Sequence, residues 1–194
     1  MAKIGLLNPV YAPIVSEPKD AAIVYGAGKF CGAAISASVT YTSNSNPLYG
    51  NDSIIDDDNG ITGAEVTMGV DDIMEDDQVA LLGVAKEEMD GGVTEYSDTG
   101  DSAPFVGFGY IQVRRKDNKK SYIANWWHKV QFDRPNETTN TKGENIEWQT
   151  DSITGTAAGV MIDKTGKVKF RTKAVFEDYA AADAWLRNKA NVQA

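Results

Sequence analysis

One histidine, His128, and one cysteine, Cys31, limit the nucleophilic and acid–base chemistry this 194-residue chain can offer. A nucleophilic thiol needs a base within hydrogen-bond reach. His128 sits in an apolar stretch beside Trp126 and Val130, where a buried, hydrogen-bonded imidazole is expected rather than a general base. Cys31 lies among small apolar residues and reads as an inert, buried thiol. A lone cysteine forms no internal disulfide and no multi-cysteine metal site. No serine or cysteine near His128 in sequence completes a nucleophile constellation, so no catalytic residue and no cofactor are expected.

Two motifs invite a ligand and then fail on spacing. Ile23–Ile35, IVYGAGKFCGAAI, resembles a dinucleotide-binding glycine loop. That loop must open directly into a helix whose N-terminus holds the pyrophosphate. Here SASVTYTSNSN follows, a strand pattern and then turn formers. The Gly28-Lys29 pair also lacks the upstream glycine of a phosphate-cradling loop. Asp56, Asp57 and Asp58, followed by Asn59-Gly60, hint at calcium. Counted from Asp56, the glycine arrives fifth rather than sixth and no glutamate closes at the twelfth position. A solvated acidic loop fits better. Asn51-Asp52-Ser53 and Asn136-Glu137-Thr138 match the glycosylation tripeptide, which carries no meaning without secretion. The N-terminal MAKIGLLNPVYAPIV makes a poor signal peptide, so synthesis in a cytoplasm is expected. No apolar run approaches the ~18 residues of a membrane helix, and no membrane partner is expected.

Charge is distributed unevenly. Residues 51–101 hold 16 acids and one base, Lys86, whereas the rest holds 12 acids and 18 bases. An acidic segment of this kind repels phosphate and binds no nucleic acid. Arg114, Arg115, Lys116, Lys119 and Lys120 cluster at one hairpin tip, beside Tyr110 and Tyr122. A basic tip and an acidic segment in one chain can attract copies to each other, which makes these five residues candidate subunit-contact cations. The alternative is a solubilising turn. Trp126, Trp127 and Trp148 offer a second functional class, a carbohydrate- or ligand-binding β-sandwich with a stacking platform.

The elements that must position these residues read as β. In Gly32–Ser43, Ser36, Ser38 and Thr40 alternate with Ile35, Ala37, Val39 and Tyr41. Residues 43–60 are dense in turn formers and read as a long acidic loop. In Ala64–Val70, Val66, Met68 and Val70 fall on one side and Glu65, Thr67 and Gly69 on the other. Asp71–Gly83 is predicted as a short helix, started by Asp71 and Asp72 and stopped by Gly83. Gly91–Pro104 reads as a polar loop with room for a short strand. Phe105–Lys116 and Ser121–Phe132 form a hairpin around Asp117–Lys120, with Tyr122, Ala124, Trp126, Val130 and Phe132 on one face. A strand follows in NIEWQTDSITGTA, then a hairpin around Gly166. The helical spacing of Val175, Tyr179, Ala182 and Leu186 predicts a helix over Ala174–Ala190. The total is one mainly antiparallel β domain over 1–194 with one or two helices packed on it.

The order of these elements resembles the major tail proteins, or tail-tube proteins, of long non-contractile-tailed bacteriophages. Five segments carry the resemblance over nearly the whole length: Leu48–Asp52 (LYGND), Ile61–Gly83, Ala103–Phe132, Thr141–Ala157 and the aromatic helix Phe176–Trp185. The resemblance implies a β-sandwich or barrel of two packed antiparallel sheets, assembled as stacked hexameric rings into a tube around a tape-measure protein. Terminator and tip proteins would cap it, double-stranded DNA would pass through without specific binding, and the protein would reside in the virion tail. Acidic or neutral walls let a polyanion slide where cationic walls hold it. Ser36, Ser38, Thr40, Glu65, Thr67, Asp56, Asp57 and Asp58 are therefore the candidate lumen-facing or inter-ring residues. The stretch 43–60 is the candidate ring-to-ring contact, disordered in the monomer and ordered on assembly.

Overall fold

The computed structural model describes residues 2–19, 21–136, 150–161 and 166–192, with side chains except those of residues 45, 46, 50, 56–59 and 116. The chain runs β1 (Ala2–Ser16), β2 (Val24–Tyr25), β3 (Lys29–Phe30), β4 (Ala34–Gly50), β5 (Ser53–Val70), α1 (Glu75–Leu82), β6 (Ala85–Met89) and β7 (Val93–Ser97). It continues through β8 (Phe105–Lys116), β9 (Lys119–Phe132), β10 (Asp151–Ala157), β11 (Val160–Met161), β12 (Val168–Lys169), β13 (Arg171–Phe176) and α2 (Tyr179–Ala190). The fold is mainly β, as the alternation predicts.

A nine-stranded antiparallel sheet follows the order β2-β1-β8-β9-β10-β5-β4, with β13 added to β9 and β3 to β1. Its two halves supply the packed layers. The larger core draws Tyr11, Phe108, Tyr110, Trp127 and Phe132 from one half and Val66, Met68, Val70 and Ile153 from the other. The smaller core lies on the opposite face of β1, β8 and β9, under α2, where Ala182, Leu186 and Ala190 cover Val10, Ile111, Ala124 and Trp126. Residues four apart on one helix stripe meet the sheet there.

Strand β9 serves both cores because of a bulge. Val106 pairs with Val130, yet Phe108 pairs with Trp127, so the register slips by one between them. A one-residue slip exchanges faces. Tyr122, Ala124 and Trp126 therefore pack under α2, whereas Val130 and Phe132 join Trp127 in the larger core. The five side chains expected on one face are split between two.

Three further expectations change. Residues 43–60 form no irregular loop: β4 and β5 pair continuously from Ala34↔Val70 to Gly50↔Ser53. The turn is only Asn51-Asp52, both at positive φ (49° and 57°), the backbone a two-residue hairpin turn requires. The Asn, Asp and Gly residues that signal loops are outweighed by Leu48, Tyr49, Ile54, Ile55 and Ile61. Helix α1 begins at Glu75 rather than Asp71, because the Asp71 carboxylate accepts from the Ala33 amide at 2.5 Å and fixes the end of β5 instead. Gly83 ends it in the left-handed region (φ 74°), as expected. Helix α2 begins at Tyr179, with Asp178 as its cap accepting from the Ala181 amide at 3.0 Å. Residues 174–176 pair with β9 as the end of strand Arg171–Phe176, a tertiary contact that overrides their helical spacing.

The polar stretch 91–104 holds the one short strand it had room for, β7, which pairs with β6 around Gly91-Gly92. Asn145–Trp148, the first half of the predicted strand before β10, lies outside the described residues, as does most of the predicted turn before Gly166.

Candidate functional site: an unpaired edge, a hydroxyl face and two charged ends

Among the described residues β4 closes the sheet with no strand beyond it. It is 17 residues long, and β10 pairs with β5 only over Ala64–Val70. Beyond Ala64 the β4–β5 ribbon therefore continues as an arm. On it Leu48, Tyr49, Ile54, Ile55 and Ile61 are 52–67% exposed. Asp56, Asp57 and Asp58 belong to this arm by backbone; their side chains fall outside the described ones.

The alternation that predicted polar outward positions is realised in register. Ser36, Ser38 and Thr40 pair with Gly69, Thr67 and Glu65, and these pair in turn with Ser152, Thr154 and Thr156 of β10. Thr67 and Thr154 share a hydroxyl–hydroxyl hydrogen bond of 3.1 Å. The structure thus gathers Ser36, Ser38, Thr40, Glu65 and Thr67 on one three-stranded face, with Val66 and Met68 buried behind it. Ser152, Thr154 and Thr156 were missed as partners, although the same period-2 signal is present in DSITGTA. Glu65 is the one charged group among these nine residues.

The five predicted cations do not act as one cluster. β8 and β9 turn at Asp117-Asn118 (φ 49° and 63°), pairing Arg115 with Lys120 and Lys116 with Lys119. Arg115, Lys119 and Lys120 are exposed there, and Arg115 donates to the Asn118 side chain. The Lys116 side chain is outside the described ones. Arg114 instead lines a cavity of about 390 Å³ with Lys3, Arg171, Lys173, Tyr41, Tyr110 and Gln112. Lys3, Arg171 and Lys173 escaped the sequence reading because they are remote in sequence. The signal was again alternation, Arg171-Thr172-Lys173, with Thr172 turned the other way to His128. Burial, and then the neighbouring Arg171, Lys3 and Arg114 charges, hold the Lys173 ammonium below its ordinary pKa.

Acidic groups collect at the other end of β8. Asp98 pairs with Arg134 at 2.7 Å and Thr99 donates to the Gly83 carbonyl, which anchors the β6–β7 hairpin beside the start of β8. Glu87, Glu88, Asp90 and Glu95 are exposed on it. Hydrogen bonds from Lys86 (2.8 Å) and Tyr96 (3.0 Å) hold the Asp76 carboxyl below its usual range. The twelve residues of β8 span roughly 40 Å at about 3.3 Å per residue, which separates this acidic hairpin from the basic tip.

The residues with potential chemistry are accounted for structurally. His128 is buried, shares a 2.8 Å hydrogen bond with Thr172, and is pushed down to about 4, chiefly by burial. Cys31 is buried and its thiol is pushed up to about 12, chiefly by burial. The glycine loop packs on the wrong end of a helix for phosphate. A Cβ on Gly28 would lie 2.2 Å from the Ala190 carbonyl, at the C-terminus of α2, where the backbone presents partial negative charge. Trp126 and Trp127 are fully buried in different cores and offer no stacking face; Trp148 lies outside the described residues. Among the described residues no group of three or more His, Cys, Asp or Glu is placed to hold a metal ion.

A scan against protein-family models finds no match, and no curated protein matches the sequence.

Proposed function

We propose that this chain is the structural subunit of a bacteriophage tail tube, polymerising as stacked hexameric rings into a hollow conduit for double-stranded DNA. The observation that carries the reading is the β4–β5 arm. An isolated two-stranded ribbon is marginal in water, and contiguous exposed apolar residues mark interaction surfaces. Leu48, Tyr49, Ile54, Ile55 and Ile61 supply exposed apolar side chains on this ribbon, Tyr49 and Ile54 as a cross-strand pair, and no further strand pairs with the arm among the described residues.

A second copy is the partner that the remaining features favour. A long edge that is unpaired among the described residues invites strand addition unless it is blunted. β4 carries no charged side chain along its 17 residues, and Pro47 and the strand's bulges leave Ser36–Thr42 as the regular stretch. The acidic β6–β7 hairpin and the basic β8–β9 tip, set apart along β8, favour head-to-tail contact between copies. A heterologous contact closes into a ring in one direction and remains open in the other, which is the geometry of a tube. The hydroxyl face suits a lumen wall. It offers DNA phosphates no cations and therefore no counterion release, and Glu65 adds repulsion. Tape-measure, terminator and tip proteins are the further partners, and the tail of the virion is the location.

Negative-stain electron microscopy of the purified protein across a concentration series tests this. Rings or tubes of one width are expected; a protein that stays monomeric at every concentration would refute it.

A further inference from the structure

The cavity between β4 and the β1–β8–β9–β13 layer is built as an anion site. Lys3, Arg114, Arg171 and Lys173 reach it from three strands, and among the described residues no carboxylate lines it. Tyr110 also lines it. Its side chain is fully buried, and its hydroxyl lies near the Arg171 guanidinium and the Trp127 indole without a hydrogen bond of normal geometry to any described group. A buried hydroxyl that gives up water without a partner is costly. Like charges gathered around it are also costly. Both costs are relieved by the same occupant.

We propose that this cavity binds a multivalent oxyanion, the chemistry shared by a condensed phosphate and a polycarboxylate. A monovalent ion would leave most of the charge of Lys3, Arg171 and Lys173 uncompensated. Guanidinium groups grip phosphate and carboxylate oxygens in pairs, and ammonium groups add point charge. Tyr110 and Gln112 contribute neutral donors. The volume of about 390 Å³ exceeds by far the roughly 30 Å³ share of one water, so a polyatomic anion fits. The inference concerns the folded subunit and holds whether or not copies assemble.

Isothermal titration calorimetry of the full-length protein with tripolyphosphate, and separately with citrate, tests it. Saturable binding of one anion per chain is expected for at least one probe. Preference for tripolyphosphate assigns a phosphate ligand, and preference for citrate assigns a carboxylate ligand. Tyr110→Phe removes one hydroxyl and should weaken binding about tenfold. Lys3→Ala combined with Lys173→Ala, both exposed enough to leave the fold intact, should weaken it by more than about tenfold. Lys119→Ala with Lys120→Ala at the hairpin tip should change it less than about threefold, because exposed charges contribute little. No saturable binding of either probe, or equal loss in the tip variant and the cavity variants, would overturn the site.

Discussion

The Arg171 guanidinium lies 4.6 Å from the centre of the Trp127 ring, its cross-strand partner, and donates a hydrogen bond to the Tyr41 hydroxyl of β4. One side chain thus ties β13 and β9 to the facing half of the sheet. A planar guanidinium can stack and donate at the same time; an ammonium cannot.

Arg171→Lys is accordingly expected to destabilise the protein although charge is kept. The loss should be about 1–2 kcal/mol, the scale of a desolvated cation–π contact. Urea unfolding of the two proteins measures it. An unchanged midpoint would show that the stacking contributes nothing.

Gly28 is a packing requirement rather than part of a nucleotide site. Gly28→Ala places a methyl carbon against the Ala190 carbonyl and forces the end of α2 outward. A loss of about 1–3 kcal/mol is expected, as for overpacking of a core. Circular dichroism melts of the variant should show it, and a melting temperature equal to the parent's would contradict the contact.

His128 makes stability depend on pH in a defined window. Its folded pKa, about 4, lies below the ordinary 6.5, so the fold holds it neutral. The unfolded chain takes up the proton first as pH falls. The contribution is complete above pH 6.5, declines between 6.5 and 4, and is absent below. It amounts to at most about 3 kcal/mol. Subtracting the pH–stability curve of His128→Gln from that of the parent isolates this share from the carboxylates. A flat difference between pH 7 and 4 would contradict it.

Acids of the 51–101 segment fall into two groups, and neutralising them should have opposite results. Asp77 is buried and accepts from the Tyr11 hydroxyl at 2.7 Å, which, after burial itself, holds that phenol well above its ordinary pKa. Asp77→Ala should cost about 1–3 kcal/mol by leaving the hydroxyl unpartnered. Glu87→Gln, Glu88→Gln and Glu95→Gln on the exposed β6–β7 hairpin should each stay within about 0.5 kcal/mol. Chemical denaturation of the four variants separates the groups.

Much of this arrangement was legible in the sequence, and the reasons differ by residue. Period-2 alternation placed Ser36, Ser38, Thr40, Glu65 and Thr67 on an outward face and Val66, Met68 and Val70 inward, because a strand's two faces are written directly in its order. It was blind to the bulge opposite Gly107, since a one-residue slip leaves local composition unchanged while exchanging faces. Turn-rich composition hid the arm: Asn, Asp and Gly residues occupy strand positions there, and only Asn51 and Asp52 make the turn. The cavity was invisible because Lys3, Arg114, Arg171 and Lys173 meet only through the pairing of β1 with β8 and of β13 with β9. Residues 174–176 read as helix because nothing local records that β9 offers them an edge.

Joining of copies through the β4–β5 arm is tested most directly by electron microscopy of the concentrated parent beside Ile54→Ser with Ile55→Ser, with circular dichroism confirming that both are folded. The parent should form rings or tubes of one width, and the variant should remain dispersed. Equal assembly of both proteins, or none by the parent at any concentration, would contradict the account.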